Sequence, residues 1–202
     1  MERKRGRPRK YDPEIALDAA LTLFWTRGYA ATTLDALSEA TGMQRPSLYA
    51  AFGDKSELFA QALGRFQQRM SQTLGAVLEQ DPLDTALAEL LVGVVDVYAP
   101  GDEPARGCFV FSVAALEAVE HPTTRAAVAK VVDALDERLR RRFERAVSAG
   151  ELPAHCDVLT LARLSSAAVH SISLRARSGS SRRALRAFAR ASAAMLLSAA
   201  RA

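Results

Sequence analysis

Apolar residues return every three or four positions along most of the 202-residue chain and a two-residue alternation is absent, so helices are predicted throughout. Leu17, Ala20, Leu23 and Phe24 give a first helix one buried face over residues 13–27, with Asp12 as its N-cap, Pro13 in its first turn and Gly28 as its stop. Thr32-Thr33-Leu34-Asp35 reads as a capping box in which the Thr32 hydroxyl accepts from an orphan amide and Asp35 reaches back. The second helix then runs to about Thr41, where Gly42 is free to turn left-handed. Pro46 suits the first turn of a third helix and Gly53 closes it, with Leu48 and Phe52, four apart, facing inward toward Leu37 and Phe24. Asp54-x-x-Glu57 caps a fourth helix predicted to continue unbroken to Asp81-Pro82, a rod of roughly 40 Å at ~1.5 Å per residue.

Beyond that rod the same period continues. Residues 83–98 carry apolar side chains at 83, 87, 90, 91, 94, 95 and 98 before Pro100-Gly101 ends the helix. Residues 105–119 contain a segment, RGCFVFSVAALE, that is apolar nearly all round and therefore predicted to be central. Pro122 opens a long helix with Val128, Val132, Leu135, Leu139, Phe143 and Val147 on one face, Asp136/Arg140 and Glu137/Arg141 pairs outside, and Gly150 as its stop. Two further helices, about 157–177 and 181–200, flank Ser178-Gly179-Ser180. The predicted fold is all-α: an N-terminal three-helix unit joined by a long fourth helix to a larger C-terminal helical domain.

Two short capped helices around a glycine turn form a helix-turn-helix over about residues 33–52, the unit that presents one helix to the major groove of DNA. Gln44, Arg45 and Ser47 lead that helix and can hydrogen-bond base edges or phosphates. The Tyr49 hydroxyl suits a phosphate oxygen, and Lys55 supplies a cation. The competing reading is a helical hairpin with a solvated charged face. The spaced set Ala19-Ala20-x-x-Leu23-Phe24-x-x-x-Gly28-Tyr29-x-x-Thr32-Thr33-x-x-x-Leu37, Ala40-x-Gly42-Met43 and Ser47-Leu48-Tyr49-x-x-Phe52-x-x-Lys55-x-x-Leu58 weighs against it.

Over residues 11–60 this pattern resembles the N-terminal domain of TetR-family transcriptional regulators, with Ser38 where the family often has alanine and Thr41 ahead of the turn glycine. The resemblance implies phosphate contacts from Thr33, Tyr49 and Lys55, and base-facing positions at Gln44, Arg45, Pro46 and Ser47. It also implies that residues 61–202 bind an effector and dimerise. Candidate lining residues are Phe66, Met70, Tyr98, Cys108, Phe111, Ser112 and His170, which place polar atoms among large apolar ones, with core packing as the plain alternative for each. Around Cys108 the segment also resembles the reactive-thiol site of some TetR-like electrophile sensors; such a thiol needs a depressed pKa, and Arg106 is the nearest cation in sequence. The last two helices, rich in Ala and Ser with Leu185, Phe188, Met195 and Leu196 as larger anchors, are expected to pack against their copies in a homodimer that reads a palindromic operator.

Charge sharpens this picture. Residues 1–10 carry six Lys/Arg and one acid, net +5, and eight Arg with no acid follow Asp157, so the middle carries 4 − 5 − 8 = −9. The basic arm, residues 1–10, contains Arg5-Gly6-Arg7-Pro8, which looks like an AT-hook core whose arginines lie along an A·T-rich minor groove; a solvated basic tail is the alternative. The C-terminal arginines are expected to pair with the acidic middle. Two cysteines with 47 residues between them suggest no disulfide framework, no apolar run reaches bilayer length, and the basic N-terminus lacks a secretory core. A cytoplasmic protein is expected, without a membrane partner.

Other chemistry finds little purchase. His155-Cys156 and His121 lack metal-ligand spacing, and no cofactor is expected. A nucleophile elbow, a phosphate loop and a dinucleotide fingerprint are all absent, and Glu117/His121 is not repeated as a carboxylate-bridged bundle requires, so no enzyme is expected. A chromosome-associated architectural protein that uses only its basic arm remains the other class. The expected function is a repressor released from its operator by a small-molecule effector.

Overall fold

The computed structural model describes residues 12–101 and 105–202. The basic arm, with Arg5 and Arg7, lies outside the described residues. α1 spans Pro13–Arg27, α2 Leu34–Thr41, α3 Arg45–Phe52 and α4 Lys55–Leu74. Asp12 caps α1 by accepting the Glu14 amide at 2.8 Å, and Gly28, at φ 79°, ends it. The cap of α2 is one residue later than the pattern predicts. Thr33 accepts the Ala36 amide, whereas the Thr32 hydroxyl is fully buried and donates to the Gly28 carbonyl at 2.6 Å. Thr32 thus ties down the end of α1, and Asp35 has a partner other than the cap. Leu21, Phe24, Leu37, Met43, Leu48, Phe52 and Phe59 close the core of this unit.

At the other end of the domain, α4 stops at Leu74, so it measures about 30 Å rather than 40. After Gly75 the chain tightens into a 3-10 turn, Val77–Glu79, which swings Leu78 into the core. Two arginines of the later helix α7 (Pro122–Ser148) take the carbonyls this break releases: Arg142 donates to Gln80 at 3.1 Å and Arg145 to Glu79 at 2.9 Å. The capping box at the start of α4 is present in both halves, Asp54 with Glu57.

α5 (Leu83–Tyr98) buries all seven apolar positions of its predicted face. The helix expected over residues 105–119 is shorter. Gly107, at φ 65°, holds an extended entry, a π-helical turn covers Val110–Ala114, and α6 is only Ala115–Glu117. Cys108 to Val110, Val113 and Ala114 are buried, but Leu116 and Val119 are exposed, so the segment is central only as far as Ala114. On α7, Leu139 and Phe143 are buried; Val128, Val132, Leu135 and Val147 are only partly so. Glu137 pairs with Arg141 at 2.7 Å, but Arg140 turns to Glu137 and Glu144 instead of Asp136. Asp136 faces inward, with a buried oxygen lacking a hydrogen-bond partner.

α8 (Val158–Arg177) and α9 (Arg182–Arg201) complete the domain, α9 lying on α5 and α8 on α7. The segregated charge meets here: Arg182 and Arg186 share Asp96, and Arg201 holds Asp84. Leu185 is buried within its own subunit, unlike Met195, so it is not an outward anchor. Among the described residues no helix is long and apolar enough to cross a membrane.

Candidate nucleic-acid interface and effector cavity

α3 owes its presentation to its first turn. Gln44 sits at the N-cap with no side-chain capping bond, so its amide is uncommitted, and Pro46 costs nothing where the N–H has no partner. Gln44, Arg45 and Pro46 are exposed, Ser47 is half-buried and Tyr49 is 48% exposed, while Leu48 and Phe52 anchor the opposite face. Thr33 is exposed one helix away; its oxygen caps α2, which leaves its O–H proton to donate. Arg45 already has a partner, since its guanidinium donates to Asp35 on α2.

Lys55 is placed differently from the free cation the pattern predicts. Its ammonium stands 4.3 Å above the Tyr29 ring, and burial lowers its pKa, an effect that Glu117 of α6 opposes. Tyr29 in turn meets the His121 ring at 5.3 Å. His121, between α6 and α7, therefore touches the corner of the helix-turn-helix unit.

A cavity of about 140 Å³ lies in the C-terminal domain between α4, α5, α7 and α8. Six of the seven candidates line it: Phe66, Met70, Tyr98, Cys108, Phe111 and His170. Ser112 does not; its hydroxyl lies beside Gly107 instead. Gln67, Ser71, Val94, Arg138 and Val169 also line it and had no role in the sequence reading. Gln67 and Ser71 flank Phe66 and Met70 on α4 and were within reach of a helical-wheel argument. Arg138 gave no signal, because one arginine in an arginine-rich helix looks like solvated surface.

Burial holds the imidazole and the thiol of the cavity in their neutral forms. Burial pushes the His170 pKa down to about 4, against the pull of Asp136, and the ring packs on Phe111 with its Nε2 3.3 Å from the Ser166 hydroxyl. Burial pushes the Cys108 thiol up, with the Tyr98 hydroxyl and the Phe111 and Val110 amides opposing, and Arg106 lies over the Trp25 ring. A sensor thiol needs the opposite shift. In this state Cys108 is a core thiol.

Aromatic rings join the cavity to the helix-turn-helix unit. Phe66 meets Trp25 edge-on at 5.1 Å and Phe109 at 5.9 Å; Phe109 meets Phe59 at 5.3 Å, and Phe59 meets Tyr29 at 4.9 Å and Phe24 at 5.0 Å. Trp25, which the sequence reading did not single out, also donates its indole N–H to the Gly107 carbonyl at 3.1 Å. A Cβ at Gly107 would come within 2.9 Å of the Ser173 carbonyl and 2.7 Å of the Ser112 hydroxyl, so only glycine fits there.

Known proteins resemble the chain along most of its length. A family model described as bacterial regulatory proteins, tetR family, matches residues 16–62, and one described as tetracyclin repressor-like, C-terminal domain, matches residues 85–192. The HTH-type transcriptional repressor ComR of Escherichia coli (strain K12) is 35% identical over 184 residues, covering 90% of this chain and 87% of ComR. The repressor BdcR of the same organism is 36% identical over 106 residues, 52% of this chain and 53% of BdcR. A cysteine mutant of the TetR family transcriptional regulator CifR, solved with 26-base-pair double-strand operator DNA, superposes with a TM-score of 0.82 at 32% identity, covering 93% and 98% of the two chains.

Proposed function

The chain belongs to the TetR family of bacterial regulatory proteins and is a DNA-binding transcriptional regulator, and from that premise we propose that it is a cytoplasmic repressor which a small-molecule effector releases from a palindromic operator. Gln44, Arg45, Pro46 and Ser47 face bases; Thr33, Tyr49 and Lys55 bind phosphates; Arg5 and Arg7 follow the adjacent minor groove. One short helix reads too few bases, so two copies are needed, with recognition helices about 34 Å apart along one face of the duplex. A stripe of Leu164, Ala167, Ser171 and Leu174 on α8 and another of Phe188, Ala191, Met195 and Ala199 on α9 form the mutual face; most of these side chains are exposed in the single chain.

The observation that carries the release step is the ring path from Phe66, on the cavity wall, through Phe109 and Phe59 to Tyr29 and Lys55. Packed rings shift as a unit. A ligand that displaces Phe66 or Phe111 moves α6 and the corner that carries Lys55, which changes the spacing of the two recognition helices. A coupling of about 1–3 kcal/mol suffices to alter occupancy. The solved complex of CifR with operator DNA supports the DNA half of this reading.

Selection of duplexes from a random pool by the purified full chain tests it. The expected product is an inverted repeat, with specific binding ~10³-fold or more above random duplex. Recovery of nothing beyond A·T richness would instead make this an architectural protein.

A further inference from the structure

α7 presents a run of arginines whose partners differ. Arg140 is held by Glu137 and Glu144, Arg141 by Glu137, Arg142 by Asp81 and Glu151, and Arg145 by Glu79 and Asp81. Arg138 has no carboxylate partner among the described residues; its guanidinium only approaches the Ser71 carbonyl of α4, at 3.5 Å. That contact sets it across the gap between α4 and α7, on the wall of the cavity, where it is the one formally charged lining residue. Gln67 and Ser71 stand beside it, and the remaining walls are apolar or neutral, led by Phe66, Val94, Phe111 and Val169.

We propose that this cavity takes a small amphiphilic monocarboxylate, its hydrocarbon or aryl body enclosed by the apolar walls and its carboxylate received by Arg138, with the Gln67 amide as a second donor. This rests on the reading of the cavity as the effector site. The guanidinium fork matches a carboxylate with two parallel hydrogen bonds. Because Arg138 is exposed, the anionic head stays at the rim in water and only the tail is stripped of solvent, so no charge is buried unpaired. One uncommitted cation also matches one negative charge, which disfavours a dianion.

Trp25, the single tryptophan, packs on Phe66 and reports occupancy by its fluorescence. The full chain is titrated with butanoate, hexanoate, octanoate and 4-phenylbutyrate, and with the primary amide of each, by fluorescence and calorimetry. Acids are expected to bind about tenfold more tightly than their amides, with a gain of about fourfold per methylene from butanoate to octanoate. In Arg138→Gln the preference for acid over amide disappears while amide affinity stays within about twofold; Arg141→Gln, on the same helix but off the cavity, keeps the preference. Equal binding of acids and amides, saturable binding of neither, or a preference that survives Arg138→Gln overturns the proposal. The same titration against protein on a selected duplex separates the two readings. Arg138-dependent binding that leaves DNA occupancy unchanged upholds the carboxylate site and overturns its role as effector site.

Discussion

The Arg45 guanidinium donates to the Asp35 carboxylate, ten residues earlier, through Nε at 2.9 Å. The side chain we propose as a base reader is thus tethered to α2 before DNA arrives, by a carboxylate that also opposes the approach of phosphates. Both groups are largely exposed, so the pair itself adds little stability. Its effect is orientation. Arg45→Ala is expected to cost about 1–3 kcal/mol on the selected duplex and little on scrambled DNA. Asp35→Asn should strengthen binding to scrambled DNA and lower the ratio between the two. Fluorescence anisotropy on both duplexes checks this; a uniform effect of Arg45→Ala would remove it from base reading.

On the proposed reading, Lys55 and Tyr49 form the sequence-independent part of the interface. Lys55→Ala should weaken selected and scrambled duplex alike and reduce the slope of log affinity against log salt by about 0.9, the share of one phosphate. Tyr49→Phe should weaken both without changing the slope, because it removes a hydrogen bond and no charge. Affinity measured over a series of salt concentrations separates the two.

Arg142 is the pillar of the junction between α4 and α5. Its side chain is 1% exposed and holds Asp81, Glu151 and the Gln80 carbonyl, and Glu151 also accepts the Leu83 amide. Arg142→Ala removes the buried donor from the Gln80 carbonyl, leaves Asp81 to Arg145 and Glu151 to the Leu83 amide, and is expected to cost about 3 kcal/mol. Arg141→Ala, which loses one surface pair with Glu137, should cost no more than about 1 kcal/mol. Denaturant titration of both variants tests the contrast.

His170 makes stability depend on mild acid. Its pKa falls from 6.5 to about 4 on folding, so between those values the unfolded chain binds a proton that the folded chain does not. Stability contributed by neutral His170 is complete above pH 6.5 and declines until about pH 4, where it levels off. Asp18, whose pKa Arg65 lowers, adds a further loss as pH falls below the ordinary carboxylate value. His170→Gln should flatten the first segment and leave the second, as read from denaturation midpoints against pH.

A glutamate at Leu174 or Met195, which are 71% and 73% exposed in the single chain, would place a charge inside the proposed mutual face of α8 and α9. Sedimentation should then report monomers with unchanged helicity, and binding to an inverted repeat should fall to that of one half-site. A dimer that survives both substitutions would move the interface elsewhere.

Most elements were legible because local chemistry sets them. Asp12, Gly28, Gly42 and Asp54-Glu57 act at the helix ends where their types predict, and the apolar face of α5 is buried at every predicted position. The misses are where distant contacts prevail. Thr32 and Thr33 are equivalent as caps until the Gly28 carbonyl claims one of them. The rod of α4 stops at Leu74, and the Glu79 and Gln80 carbonyls beyond it find donors in arginines some 60 residues later, which no local pattern records. Residues 105–108 are helix-compatible by composition, yet the Trp25 indole and the Tyr98 carbonyl hold them extended. The cavity follows the same logic: its aromatic and thiol residues stand out by type, whereas Arg138 stands out only once its neighbours on α7 are seen to be paired.

Gly107 joins three helices without a side chain of its own: its carbonyl serves α1, its amide leans on α5, and its bare Cα lets α8 close in. A hinge pin of this kind leaves evolution no room for drift at its own position while freeing the regions on either side. On the proposed reading, substitutions at residues 44–47 or along the chamber walls leave this joint in place, so target sequence and chemical trigger can each change while the fold that links them persists.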